Sequence, residues 1–358
     1  LAIYFFTKSV SFTGGKEKVL TQLANFLSKH SYDIFICYYD DVSTTAFQME
    51  SSIQLRNMPL QGRIAPKSTI RKLYTLFQDI RYYKKNKPAF SKDDIIIPTD
   101  NLIATVIYLA WPECKKQVWV WEHLISGNVT SPFWQKLRNY SYKRFEKIIA
   151  LNPEEYEAFH SLGCKAICMP NAVVQQTKAH HPAGGQIIWV GSLTKEKGAH
   201  HLTTIVQEMR KGGINIPLTI YGDGPLRESI IAEIENRKIS NISWAGIITD
   251  TDIIYKKASL LLLTSAHECF PTVIIEAFSY GVPVISYDCP TGPRNMIVPG
   301  KNGWLIQAND TTAMARAIIH FFTDKAAELR MREASWESAT QYDPSVIYPK
   351  WLKLIEHG

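Results

Sequence analysis

The stretch His267–Ser286, HECFPTVIIEAFSYGVPVIS, decides the reading of this chain. It sets Glu268 and Glu276 eight positions apart around a helix that starts at a proline. Just upstream, Leu260–Leu263 is an unbroken leucine run, so Ser265, Glu268 and Cys269 are expected at the carboxyl end of a buried strand. Pro271 suits the first helical turn, where its missing N–H costs nothing. Glu276 then falls about one and a half turns into the helix, while Glu268 stays on the preceding loop. The free N–H groups of Phe270, Thr272 and Val273, together with the helix dipole, would make that loop an anion site. Two carboxylates that can only accept hydrogen bonds, beside an anion site, suit a ligand with both phosphates and sugar hydroxyls. A nucleotide-sugar has both.

The chain around this stretch alternates strand and helix. Strands are expected at Ala2–Thr7, Asp33–Tyr38, Asp94–Ile97, Gln117–Trp121, Lys147–Leu151 and Ala166–Met169. Gly14-Gly15 reads as a tight turn before a helix at Lys18–Lys29, and residues 42–70 have no clear periodicity and read as a hairpin or an acceptor loop. Residues 174–185 carry Pro and Gly among polar residues and read as a linker. The alternation then resumes from Gln186, with strands at Gln186–Val190, Pro217–Tyr221, Ile242–Trp244, Leu260–Leu263 and Val284–Ser286. Such alternation implies parallel sheets whose ligands bind beyond the carboxyl ends of the strands. At 358 residues two domains are expected. They are placed at 1–173 and 186–340, with a final helix at 341–358.

Composition narrows the function. The six cysteines, Cys37, Cys114, Cys164, Cys168, Cys269 and Cys289, lack paired metal-ligand spacing, so reduced cytosolic thiols are expected and zinc is not. Asp250-Thr251-Asp252 precedes a helix and reads as an N-cap with a first-turn charge, not as a divalent-ion clamp. No metal and no cofactor are expected. No apolar run approaches the ~18–20 residues that span a bilayer, and LAIYFFTKSV reads as a first strand rather than a signal peptide.

Charge is uneven. Residues 1–175 hold 22 Lys and Arg against 15 Asp and Glu, whereas residues 176–358 hold 18 of each. The excess concentrates in 63–92, where Arg63, Lys67, Arg71, Lys72, Arg81, Lys84, Lys85, Lys87 and Lys92 oppose only Asp79. Leu73, Leu76, Phe77, Ile80 and Tyr83 are interleaved at helical spacing. Two readings follow: a solvated helix face with a core stripe, or a surface docking on an anionic membrane or an acidic lipid-linked acceptor. Nucleic acid fits less well, because no recognition motif accompanies the basic residues.

Six motifs in register resemble those of the retaining glycosyltransferases of family 4, which have the GT-B fold. The Glu268–Glu276 stretch resembles their Glu-x7-Glu signature. Gly14-Gly15-Lys16-Glu17 is similar to their amino-terminal Gly-Gly loop, and Trp121-Glu122-His123 to their active-site histidine segment. Pro170-Asn171-Ala172-Val173 resembles the strand end that opens the interdomain linker. Gly191-Ser192-Leu193 with Lys197-Gly198 is similar to the phosphate-contact motif, and Tyr221-Gly222-Asp223-Gly224-Pro225 to a fixed turn. The resemblance covers most of the chain. It implies an α/β GT-B fold, with two Rossmann-like domains whose parallel sheets face a cleft and a C-terminal helix crossing back to the first domain.

The resemblance also implies roles. The donor, a UDP-sugar, would be held by Gly14, Gly15, Ser192, Lys197, Glu268, Phe270, Pro271, Thr272 and Glu276, with Glu276 on the ribose and Glu268 on the hexose. His123, Glu268 and Lys197 would stand at the reacting centre, with Lys197 offsetting charge on the departing nucleotide. Asp100 and His123 would mark the acceptor region. Taken alone, Glu268 also reads as a helix cap, Lys197 as a surface lysine, His123 as a core histidine and the glycines as turn formers. Two departures stand out. Ser192 replaces an Arg usual in the phosphate motif, and Cys269 a Gly; either Arg294 substitutes as the cation or the site leans more on helix dipoles.

The implied reaction is metal-independent hexosyl or N-acetylhexosaminyl transfer with retention. YDCPTGPRNMIVPGKNGWLI resembles members that build bacterial surface glycans, so a lipid-linked, lipopolysaccharide or capsular oligosaccharide acceptor is expected. The enzyme would then be cytoplasmic and peripheral on the inner membrane. A nucleotide-sugar epimerase of the same fold and a non-catalytic two-lobed sugar-binding protein are the rival readings.

Overall fold

Leu260–Leu263 forms a strand with every side chain withdrawn from solvent, as a parallel sheet covered on both faces requires. It lies in the second of two units, Leu1–Pro170 and Asn171–Gly358, into which the chain divides in this computed structural model. The structure describes residues 1–40, 44–60, 69–125, 131–176 and 185–357.

The first unit contains β1 (Ala2–Thr7), α1 (Gly15–Ser28), β2 (Asp33–Tyr38), β3 (Gln54–Asn57), α2 (Thr69–Lys85), β4 (Ile95–Pro98) and α3 (Asn101–Ala110). It continues with β5 (Trp119–Trp121), α4 (Pro132–Tyr142), β6 (Lys147–Ala150), α5 (Pro153–Ser161) and β7 (Ala166–Cys168). Strands run parallel in the orders β3-β2-β1-β4 and β5-β6-β7, and a parallel bridge between Ile96 and Val118 joins the two sheets. The chain therefore starts mid-sheet, runs to one edge, and returns to build the other side. The carboxyl ends of β1 and β4 become neighbours, which is where this topology opens a crevice. Ile3, Phe5, Ile96 and Ile97 are fully buried, and Trp111 fixes α2 by donating from its indole to the Tyr83 carbonyl at 2.9 Å.

Three expectations change here. Helix α1 begins at Gly15 with Gly14 as its N-cap, so the glycines open the helix instead of preceding it by a turn. Residues 42–70 hold strand β3, paired in parallel with β2; its side chains QLRN are mostly exposed, so no apolar alternation announced it. On α2 the core stripe is Leu76 and Tyr83, with Ile80 partly buried, whereas Leu73, Tyr74 and Phe77 are exposed. Arg63 and Lys67, like most of the linker at 174–185, lie outside the described residues.

The second unit contains β8 (Ile187–Val190), α6 (Leu202–Lys211), β9 (Leu218–Tyr221), α7 (Arg227–Asn236), β10 (Ile242–Gly246), α8 (Thr251–Tyr255), β11 (Leu260–Leu263) and α9 (Thr272–Ser279). Then come β12 (Val284–Tyr287), β13 (Gly303–Ile306), α10 (Thr311–Thr323), α11 (Lys325–Ala339) and α12 (Pro344–His357). Its sheet is parallel throughout in the order β10-β9-β8-β11-β12-β13, so β8 and β11 flank the point where the strand order reverses. Leu202, Ile205, Val206 and Met209 bury one face of α6, as their spacing requires. Strand β13 and helix α11 have no clear signal in the sequence; α11 (KAAELRMREASWESA) mixes charged residues with small apolar ones, yet packs against α9.

Because Leu262 is fully buried on the central strand of this unit, Leu262→Ala should cost about 2–5 kcal/mol of stability. Equilibrium unfolding in urea would read the loss as a lowered midpoint with unchanged slope.

Candidate functional site

The loops after β8 and β11 are tied together by a chain of hydrogen bonds that starts in the core. The buried Trp189 indole donates to the Thr264 hydroxyl at 2.9 Å, and that hydroxyl donates to the Lys197 carbonyl at 2.9 Å. The Ala266 N–H adds a bond to the Glu196 carbonyl at 2.8 Å. Gly198 is held so close that a Cβ there would stand 1.9 Å from the Thr264 carbonyl oxygen, and its φ of +67° is left-handed. These contacts bring Lys197 to Glu268: Nζ lies 2.6 Å from Oε1, with side chains 36% and 10% exposed. The Ser265 hydroxyl donates to the same Oε1 at 2.7 Å. The backbone thus unites two residues that stand 71 positions apart in the sequence.

Helix α9 opens beside this pair. Pro271 is its N-cap, not its first helical residue, so Thr272 and Val273 lead the helix with N–H groups that have no intrahelical acceptor. Phe270 packs its half-buried ring edge-on against Tyr342 at 5.8 Å. Glu276 is half-buried on α9, and its Oε2 accepts from the Tyr255 hydroxyl at 3.0 Å. Tyr255 is fully buried and stacks on Tyr280; burial first, then the Glu276 charge, raises its hydroxyl well above the usual range. The hydroxyl is therefore a fixed donor. Sequence reading missed Tyr255, which lies in an apolar run, Ile253-Ile254-Tyr255, that suggests only core.

The remaining expected residues of this unit divide. Ser192 is exposed on the loop after β8, which the Leu193 N–H holds to the Asp223 carbonyl at 3.0 Å. Arg294 is exposed and directs Nε and Nη2 to Asp288 Oδ1 at 3.1 and 2.9 Å, so its guanidinium already has an anionic partner. Asp250 caps α8 by accepting from the Asp252 N–H, and Asp252 takes the Tyr280 hydroxyl at 2.6 Å.

In the first unit, polar groups gather at the carboxyl ends of β1, β4 and β5. Asp100 caps α3 through the Leu102 and Ile103 N–H groups at 3.1 and 3.0 Å, and its other oxygen takes the Tyr39 hydroxyl at 2.7 Å. Glu122 is 2% exposed and accepts from the Tyr142 hydroxyl at 2.6 Å and the Leu124 N–H at 3.1 Å. Burial outweighs both bonds and pushes its carboxyl up to about 7. His123 goes the other way: burial, then Lys16, holds it well below the usual range, so the imidazole is neutral. Its Nε2, with the hydroxyls of Thr7 and Thr99, has no hydrogen-bond partner among the described residues. Thr7, Thr99 and Tyr39 had no signal in the sequence beyond following apolar runs. At Gly14 the Glu17 carboxylate lies close enough that a Cβ would meet it at 2.6 Å, so the helix N-terminus there has an anion of its own.

Residues 175–337 match the family described as Glycosyl transferases group 1. The amylovoran biosynthesis glycosyltransferase AmsD of Erwinia amylovora is 24% identical over 97% of both chains. The Campylobacter jejuni enzyme named GalNAc-alpha-(1->4)-GalNAc-alpha-(1->3)-diNAcBac-PP-undecaprenol alpha-1,4-N-acetyl-D-galactosaminyltransferase is 23% identical over 96% of this chain and 95% of its own. Among solved structures, S. aureus TarM in complex with fondaparinux, alpha-GlcNAc-glycerol and UDP superposes with a TM-score of 0.80, at 14% identity and 99% coverage of both chains. The fold is GT-B, with two Rossmann-like units and a C-terminal helix. Over 96–97% of its length the chain is thus similar to these two bacterial glycosyltransferases.

Glu122 supplies a test of the first unit's electrostatics. A carboxyl raised from 4.5 to about 7 by folding stabilises the protein fully below the lower value and loses that contribution as the pH rises through the upper one. Glu122→Gln should therefore flatten the fall in stability across that window, as urea midpoints measured at several pH values would show.

Proposed function

We propose that this protein is a retaining glycosyltransferase that moves a hexose or N-acetylhexosamine from a UDP-sugar to a lipid-linked, lipopolysaccharide or capsular oligosaccharide. The observation that carries the reading is the Lys197–Glu268 pair beside the N-terminus of α9, at the strand-reversal point of the second unit's sheet. A cation and helix N–H groups suit a diphosphate, and two carboxylates nearby on one loop and helix suit hydroxyls. Glu276, with one oxygen already steadied by Tyr255, would take the ribose. Glu268 would take the hexose, and Lys197 would exchange that carboxylate for the phosphate when donor arrives. Ser192 and the N–H groups of Thr272 and Val273 would complete the phosphate contacts. Arg294 would join only by releasing Asp288.

Catalysis in this reading is electrostatic. Lys197 and the α9 dipole would stabilise the charge that builds on the leaving nucleotide, with no metal required. The acceptor hydroxyl would be received in the first unit, where neutral His123 can hydrogen-bond a sugar and Asp100 is held ready by Tyr39. UDP-hexoses incubated with and without a lipid-oligosaccharide extract separate the readings. Acceptor-dependent UDP release supports transfer; UDP release or sugar inversion without acceptor supports an epimerase. Binding without turnover supports a sugar-binding protein. Lys197→Ala should lower kcat by roughly 10²–10³.

Helix α2 favours the surface reading of the basic segment. Leu73, Tyr74 and Phe77 are exposed on the same helix as exposed Arg81, Lys84 and Lys85, a combination suited to the interface of an anionic bilayer. Leu73→Glu with Phe77→Glu should abolish sedimentation with vesicles containing anionic lipid and leave UDP binding unchanged. Equal sedimentation with the wild-type protein would return α2 to an ordinary solvated face.

A further inference from the structure

Glu268 is gripped from behind by the turn that follows β12. Thr291 adopts φ +63° and ψ −161°, a region that a β-branched residue occupies only when its surroundings enforce it. Its hydroxyl donates to the Glu268 carbonyl at 2.5 Å. Gly292, at φ +49°, presses on the same point: a Cβ there would lie 2.8 Å from the Glu268 carbonyl oxygen and 3.1 Å from its Cβ. Pro290 and Pro293 flank the pair and restrict the backbone on both sides. On the front side, Lys197 and Ser265 both bond Oε1, which leaves Oε2 without a donor among the described residues. The main chain of Glu268 is clamped and one carboxylate oxygen is open.

We infer that Thr291 is a positioning residue for the donor sugar: through the Glu268 main chain it aims the open carboxylate oxygen and so sets which sugar hydroxyl the site reads. The inference rests on the donor reading above and deepens it. A strained backbone conformation is retained because the hydroxyl anchors it to Glu268. Without that hydroxyl the turn can relax and the carboxylate loses its fixed direction. A ligand lacking the hexose does not touch this device.

The test compares UDP-hexose with UDP. By calorimetry on the full chain, Thr291→Val should weaken UDP-hexose binding about tenfold, the scale of one lost hydrogen bond, and leave UDP within about twofold. Thr291→Ser, which keeps the hydroxyl, should bind both like the wild type. The kcat/KM ratio for two UDP-hexoses epimeric at one hydroxyl should shrink in Thr291→Val, which general loosening of the fold would not cause. Thr291→Ala removes the same hydroxyl with less bulk and substitutes should the valine variant fail to fold. Equal losses of UDP and UDP-hexose, or no loss of either in a folded variant, would overturn the inference while the donor reading stands. A wild-type protein that binds neither ligand would sink both.

Discussion

The second unit depends on one side chain that faces two ways. Thr264 takes the Trp189 indole proton from the core and gives its own to the Lys197 carbonyl, so sheet packing is transmitted directly to a loop. A buried polar atom has to be bonded, and here the obligation is met by the backbone of the residue that carries the cation. Lys197 consequently reaches Glu268 from a loop with no regular structure of its own. Parallel strands make this arrangement available, because their carboxyl ends lie side by side and their loops must share one edge.

The ion pair so formed is partly exposed, and its value lies in readiness more than in stability. Exposed pairs contribute little on their own, but removing one member of a half-buried pair strands the other. In the proposed donor complex a diphosphate would replace the carboxylate on Lys197, and a sugar hydroxyl would replace the lysine on Glu268. Lys197 would then be neutralised by the diphosphate, and Glu268 would keep hydrogen-bond donors, Ser265 among them, in place of the cation. Tyr255 is such a neutral donor to Glu276.

The first unit solves a different problem with similar means. It collects titratable groups at its carboxyl edge and drives them apart in protonation. Glu122 is pushed up to about 7, whereas His123 is held down as a neutral ring. Asp100 instead spends its oxygens on a helix cap and on Tyr39. Carboxylates placed close together in space can serve different ends because burial and donors differ at each.

Periodicity and turn chemistry made much of this legible in one dimension. The leucine run, the proline before α9 and the spacing of Glu268 and Glu276 specify a strand, a loop and a helix by local rules alone. The basic helix and the capping role of Asp250 follow from equally short-range patterns. Strand β3 was invisible because edge strands with exposed polar side chains carry no alternation, and α11, a mixture of charged and small apolar residues, hides its small buried face. Tertiary structure alone decided strand order, and with it which loops meet. That choice is why Lys197 finds Glu268 and why Tyr255 emerges from an apolar run to hold Glu276. Such partnerships join residues distant in sequence, and they depend on burial, where an unbonded polar atom is costly enough to select its partner.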